Sequence, residues 1–178
     1  MSWTVPAIVA TCALAFTIGS FWWMNERRGR LRSYAPHTFG AWVKDRQLFV
    51  HLPLVIYNTG PKPLIVQNLR LCFSDGPAGI EPLLWNGCLA EARKSHIAKN
   101  AKPAIFSVPG RQALQLFVDF GSELPQDRPH KEHLCDRTAT IEAMLGDRDA
   151  WGPLVRFTLQ LGRVQGPYEF GMYRNDRG

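Results

Sequence analysis

Residues 47–73 read Q-L-F-V-H-L-P-L-V-I-Y-N-T-G-P-K-P-L-I-V-Q-N-L-R-L-C-F. Two runs rich in aliphatic, β-branched and aromatic side chains, 47–58 and 62–73, flank the turn N-T-G-P, and runs of this length bounded by turn formers are strands. They form either a hairpin or two strands that cross between sheets. Pro53 donates nothing to a β-ladder, so the first strand takes an edge or a bulge at that point.

Working outward toward the C-terminus, the apolar stretches stay short and are bounded by Gly, Pro, Asn or Asp. P-L-L-W (82–85), A-I-F-S-V (104–108), A-L-Q-L-F-V-D-F (113–120), T-A-T-I-E-A-M-L (138–145), P-L-V-R-F-T-L-Q-L (153–161) and Y-E-F-G-M-Y (168–173) bring the number of expected strands to eight. Alternation assigns their faces. Leu114, Leu116 and Val118 point one way with Gln115, Phe117 and Asp119 opposite; Val155, Phe157, Leu159 and Leu161 point one way with Arg156, Thr158 and Gln160 opposite. One face is core and one is wet, which makes the domain an all-β, antiparallel sandwich or barrel. Residues 86–103, rich in Ala and Lys, read as a short helix near 89–98 or a long loop, and 121–136 as a polar connection. Trp42, Trp85 and Trp151 read as core or cap residues of so small a domain.

Toward the N-terminus the pattern changes. From Trp3 to Met24 there are 22 residues without a charge. At about 1.5 Å per residue such a helix matches a hydrocarbon core of about 30 Å. Pro6 falls in the first turn, where a missing N–H costs little, and Thr11, Thr17 and Ser20 can return hydroxyls to the i−4 carbonyls. Trp3 at one end and Trp22 and Trp23 at the other suit the two headgroup levels. Two processing readings compete. One is a cleaved signal peptide, but the run lacks a basic leader and bulky Phe21-Trp22-Trp23 follow the small residues around Gly19. The other is a lipoprotein site at Cys12 in V-A-T-C, but the apolar stretch before it is too short and Thr11 suits it poorly. Four arginines follow the run, Arg27, Arg28, Arg30 and Arg32, and none precedes it. Basic residues stay on the cytoplasmic side, so the N-terminus is expected outside and the domain in the cytoplasm of the cell, with an extracytoplasmic domain as the alternative. The odd number of cysteines after the helix, Cys72, Cys88 and Cys135, completes no disulfide framework and fits a reducing compartment.

The whole chain of 178 residues is therefore expected to divide into residues 1–33, a transmembrane helix with a basic juxtamembrane end, and residues 34–178, one β domain. The helix is expected to run on to about Gly29 or Ser33, followed by an extended connector through Pro36. The net charge of +6 does not indicate nucleic acid: half of it sits in residues 1–32, and no later stretch interleaves basic and aromatic side chains as a base-stacking groove requires. The arginines are expected to snorkel to anionic headgroups.

The stretch L-P-L-V-I-Y-N-T-G-P-K-P-L-I-V-Q-N-L-R-L, 52–71, resembles the strand, N-x-G turn, strand signature of immunoglobulin-like adhesion and accessory modules of the CARDB type. The resemblance covers about 20 residues. It implies an immunoglobulin-like antiparallel β-sandwich used as a binding or spacer module, and it transfers no catalytic residue. In the turn, Asn58 and Gly60 are residues that tolerate left-handed backbone geometry.

Reactive constellations are sparse. H-K-E-H-L-C-D places His130, His133, Cys135 and Asp136 together, and His133 and Cys135 would share a face if a strand began there. Further ligands would have to come from His96, Cys88 or His51, and neither C-x-x-C nor H-E-x-x-H spacing occurs. No nucleophile elbow and no phosphate-cradling glycine loop is present. The expectation is a non-enzymatic, single-pass accessory or scaffolding protein without cofactor, whose partners are the bilayer and a membrane protein or complex. A metal- or thiol-dependent enzyme, or a ligand-sensing module, built on His133 and Cys135 is the alternative.

Overall fold

Alternating burial needs a second layer, and the computed structural model supplies it by curling a single sheet. It describes residues 4–44, 47–74, 81–89, 103–123, 134–146, 150–164 and 171–175. An apolar helix α1 (Thr4–Phe21) continues into a π-helical turn (Trp22–Glu26). Ten strands follow: β1 (Leu31–Ser33), β2 (Thr38–Lys44), β3 (Gln47–Asn58), β4 (Leu64–Phe73), β5 (Leu83–Leu89), β6 (Phe106–Val108), β7 (Ala113–Glu123), β8 (Asp136–Leu145), β9 (Trp151–Gln160) and β10 (Gly171–Arg174). The pairings between them are antiparallel, in the order β10-β2-β3-β7-β5-β4-β8-β9, with β1 beside β3 and β6 beside β4. The expected all-β antiparallel domain after one apolar helix is thus present. Its described strands form one curled, half-barrel sheet instead of two separately hydrogen-bonded ones.

The curl turns at β5. That strand pairs with β7 along Leu84–Leu89 but meets β4 only at Arg70↔Leu84 and Leu71↔Leu83. Beyond it the sheet swings round until β9 touches β1. The concave side holds the core, which includes Leu48, Leu52, Leu54 and Ile56 of β3, Val118 and Phe120 of β7, and Ile141 and Leu159 of β8 and β9. Burying each such side chain contributes about 1.5–3 kcal/mol.

The two strands of 47–73 do not form a hairpin. β3 pairs with β1, β2 and β7, and β4 with β5, β6 and β8, so N-T-G-P is an arch between two parts of the sheet. Pro53 lies opposite Phe117 of β7; on its other side β2 pairs only as far as His51 and β1 only from Ile56, so the proline faces the break between them. The second half of that break is patched by Ser33, whose hydroxyl donates to the Val55 carbonyl at 3.0 Å.

β1 and β2 extend the expected set of eight strands. β1 lies in the arginine-rich segment, where Leu31 enters the core while Arg32 stays exposed, so the sheet begins before the 33/34 boundary and the connector expected there is partly strand. The helix also stops earlier than Gly29 or Ser33. The Arg27 N–H closes on the Trp22 carbonyl at 3.0 Å, and Arg27 itself is already extended. On β7 the wet face fails at Asp119, which is 5% exposed. On β9 the alternation holds, with Phe157 and Leu159 buried and Arg156 and Thr158 exposed. Of the tryptophans, Trp85 is buried, with its indole N–H on the Gly87 carbonyl; Trp42 stacks on Phe49 and Trp151 lies under Arg70, both half-buried.

Candidate functional site

The arch, the β6–β7 turn and the β8 end share one pole of the sheet, and the helix exit lands there. Its seating depends on two glycines. A Cβ on Gly29 would lie 2.4 Å from the Gly60 nitrogen, and one on Gly60 would lie 2.2 Å from the Gly29 Cα, so the two backbones touch where any side chain would intrude. Thr59 fixes the register from both sides: its N–H donates to the Arg30 carbonyl at 3.1 Å, and its hydroxyl accepts from the Arg30 N–H at 2.9 Å.

Asn58 holds the arch itself. It is 2% exposed; its Nδ2 donates to the carbonyls of Lys62 and Val108 at 2.7 and 3.3 Å, and its Oδ1 accepts from the Gly60 N–H at 2.9 Å. Neither Asn58 nor Gly60 takes a positive φ, so the left-handed geometry expected of them is corrected: the asparagine is required for its side-chain hydrogen bonds and the glycine for the close approach. Among the described non-glycine residues a positive φ falls on Arg111 alone, at 55°. Such a backbone costs on the order of 1 kcal/mol. It is offset by two ties, from the Arg111 N–H to the Gly60 carbonyl and from its guanidinium to the Met24 carbonyl, both at 2.8 Å. An exposed ion pair, Lys62 with Glu26, adds at most about 1 kcal/mol.

Of the residues expected to anchor the chain, Trp22, Trp23, Arg27, Arg28, Arg30 and Arg32 lie at this junction. Trp22 and Trp23 are exposed on the π turn, and Arg27 lies 4.0 Å over the Trp23 ring; Trp3 lies outside the described residues. Arg27, Arg28, Arg30 and Arg32 line a cleft with Tyr57 and Thr59, and no carboxylate shares that lining. Arg28 and Arg30 also reach the other side of the connector, where a larger cleft of about 1100 Å³ opens between residues 28–31, the start of β4 and the β8–β9 end of the sheet. Helix α1 itself has no buried residue, and together with the π turn it is long and apolar enough to cross a membrane, a test that an N-terminal signal sequence also meets. Two of the expected back-bonds are present: the Thr11 and Thr17 hydroxyls donate to the Ala7 and Ala13 carbonyls.

The residues of the alternative reading are less well assembled. β8 begins only at Asp136, and His96, His130 and His133 lie outside the described residues. Cys135 is exposed, and its Sγ accepts from the Nε of buried Arg137 at 3.2 Å. No group of three or more His, Cys, Asp or Glu among the described residues converges as metal ligands do. Cys72 sits half-buried beside the Arg70–Glu142 pair; burial, reinforced by the Glu142 carboxylate and opposed by Arg70, pushes its thiol pKa up.

One pair escaped the sequence. His51 and Asp119 are directly opposite on β3 and β7, with Nδ1 and Oδ1 2.6 Å apart, and the imidazole stacks on Phe117. The only sequence signal was a histidine and an aspartate on strands whose pairing had first to be known. A carboxylate on Nδ1 orients a histidine in the way an acid–base pair requires; here it also ties two neighbouring strands. Asp119→Ala is expected to lower stability by about 1–3 kcal/mol in chemical denaturation, since the half-buried imidazole loses its carboxylate. Asp119→Asn, which keeps an acceptor oxygen, is expected to recover most of that loss.

No known family profile matches this chain, and no curated protein matches it.

Proposed function

We propose that the chain is a single-pass membrane protein that acts as an accessory or scaffolding subunit without chemistry of its own, binding a membrane protein or complex through α1 and an exposed face of its β domain. The observation that carries this reading is the join between helix and sheet. An apolar helix with no buried side chain is tied to the domain by the Gly29–Gly60 backbone contact, the Arg30–Thr59 hydrogen bonds and the bond from the Arg111 guanidinium to the Met24 carbonyl. A segment due for cleavage gains nothing from such a join, whereas a subunit that transmits position from the bilayer to a domain needs it. The polar pairs described, His51–Asp119 and Arg70–Glu142, each link neighbouring strands, which supports a structural use for them.

The immunoglobulin-like relationship belongs to the same reading. The two arms of the curled sheet, β2-β3-β7 and β4-β8-β9, close on one core as the halves of a sandwich do, and the N-T-G-P arch carries the chain from one to the other. The proposal places the N-terminus outside and the domain in the cytoplasm, on the strength of the four arginines after the helix.

Gentle detergent extraction followed by sizing tests the partner. The expected result is a species larger than one chain in its micelle, with a second protein at fixed stoichiometry; a monodisperse monomer contradicts it. Site-resolved labelling of intact cells with a membrane-impermeant thiol reagent tests the side. Exposed Cys135 is expected to react only after permeabilisation, and reaction from outside reverses the orientation. In permeabilised cells at mildly alkaline pH, Cys72 is expected to lag Cys135, because its raised pKa and burial leave it less thiolate and less access.

A further inference from the structure

We propose that the larger cleft at the membrane-facing pole binds one anionic glycerophospholipid from the leaflet on the domain side. This rests on the reading of α1 as a membrane span. The cleft is the mouth of the seam where the curled sheet fails to close, between β1 and β9, and its lining is divided by chemistry. Leu64, Trp151 and Leu154 supply a half-buried apolar floor. Arg28, Arg30 and Lys62 supply a cationic rim on the side of the helix exit. The one carboxylate on the described lining, Glu26, is paired with Lys62, while the guanidinium groups of Arg28 and Arg30 make no ion pair among the described residues.

A ligand that satisfies both surfaces is an amphiphile with an anionic head. The site lies at the end of a membrane span, and a soluble anion would leave the floor uncovered. Arginine suits a phosphodiester because its planar donors accept two oxygens at once. The Arg30 backbone is already fixed by Thr59, so little ordering remains when the phosphate arrives.

The test uses the full chain in a neutral detergent, with phosphatidylglycerol and phosphatidylcholine of identical acyl chains added in equal amounts and retained lipid counted by native mass spectrometry. Wild type is expected to keep one phosphatidylglycerol, preferred by about thirtyfold, at about fivefold for each arginine near the surface. Arg28→Gln with Arg30→Gln is expected to abolish the preference. Arg163→Gln with Arg174→Gln removes the same charge at the far pole and is expected to leave it intact. Equal retention of the two lipids by wild type overturns the proposal, as does an unchanged preference in the first variant with an unaltered melting temperature. Displacement of the lipid by millimolar inorganic phosphate also overturns it and assigns the site to a free anion. The anchor reading fails separately: a chain released to the aqueous phase by alkaline carbonate removes both, whereas an embedded chain without headgroup preference removes only the lipid site.

Discussion

Gly60→Ala is expected to release residues 22–31 from the sheet and to cost about 3 kcal/mol. The added Cβ would sit 2.2 and 2.3 Å from the Gly29 Cα and nitrogen, which are backbone atoms with no rotamer to yield. Overpacking in a well-packed site typically costs about 1–3 kcal/mol, and a contact with rigid backbone falls at the upper end. Trypsin reports the release directly, because Arg27, Arg28, Arg30 and Arg32 are its sites and the docked backbone resists them. Cleavage there is expected to accelerate at least about tenfold, while sites within β8 and β9 keep their protection. Gly29→Ala should do the same from the other side. The two changes share one contact, so the double variant is expected to cost well below the sum.

Asn58→Ala carries the second large effect, again about 3 kcal/mol. It strands the Gly60 N–H and the carbonyls of Lys62 and Val108 in a buried turn, and each buried group left unpaired costs about 1–3 kcal/mol, with partial relief by water. For a chain of this size that corresponds to a fall of roughly 10 °C in melting temperature. The substitution Asn58→Gly separates two explanations of the asparagine. Were it there for left-handed backbone, glycine would be neutral; because its side chain binds three backbone groups, glycine is expected to cost as much as alanine.

That distinction marks where sequence reasoning reaches and where it stops. β3 was legible residue for residue, because its period of two and its turn formers are local signals. β4 and β7 were legible in type and within a few residues at their ends. The arch was legible as a turn, but its purpose was not: whether N-T-G-P closes a hairpin or joins two arms depends on which strands pair, and pairing is not written in any one strand. β1 was hidden because Leu31-Arg32-Ser33 lies among arginines, and charge there outweighed the alternation. β2 was hidden because Gly40 and Ala41 dilute its apolar pattern. Asp119 read as a wet-face residue by alternation; its burial follows from β5 and β3 flanking it on both sides. Composition picked out Trp22, Trp23, Arg27, Arg28, Arg30 and Arg32 as the residues expected to anchor the chain. Their convergence with Thr59, Lys62 and Arg111 needed the fold, since it joins segments 29 to 87 residues apart.

The junction gives the proposal a physical core: a helix long and apolar enough to cross a membrane is fixed to a sheet whose nearest pole is cationic. In the proposed single-pass arrangement a free helix would let the domain tumble relative to the bilayer, whereas a docked one presents the same strands and the same arginines to whatever lies alongside.

Photo-crosslinking from the helix in native membranes tests this most directly. A photoreactive residue in place of Phe16, 76% exposed on α1, samples what the span touches. The account predicts one dominant protein adduct, made at the same partner from neighbouring positions one helical turn away and absent from positions on the opposite face. Adducts to lipid alone on every face, or recovery of the chain without its first 20 or so residues, would contradict it.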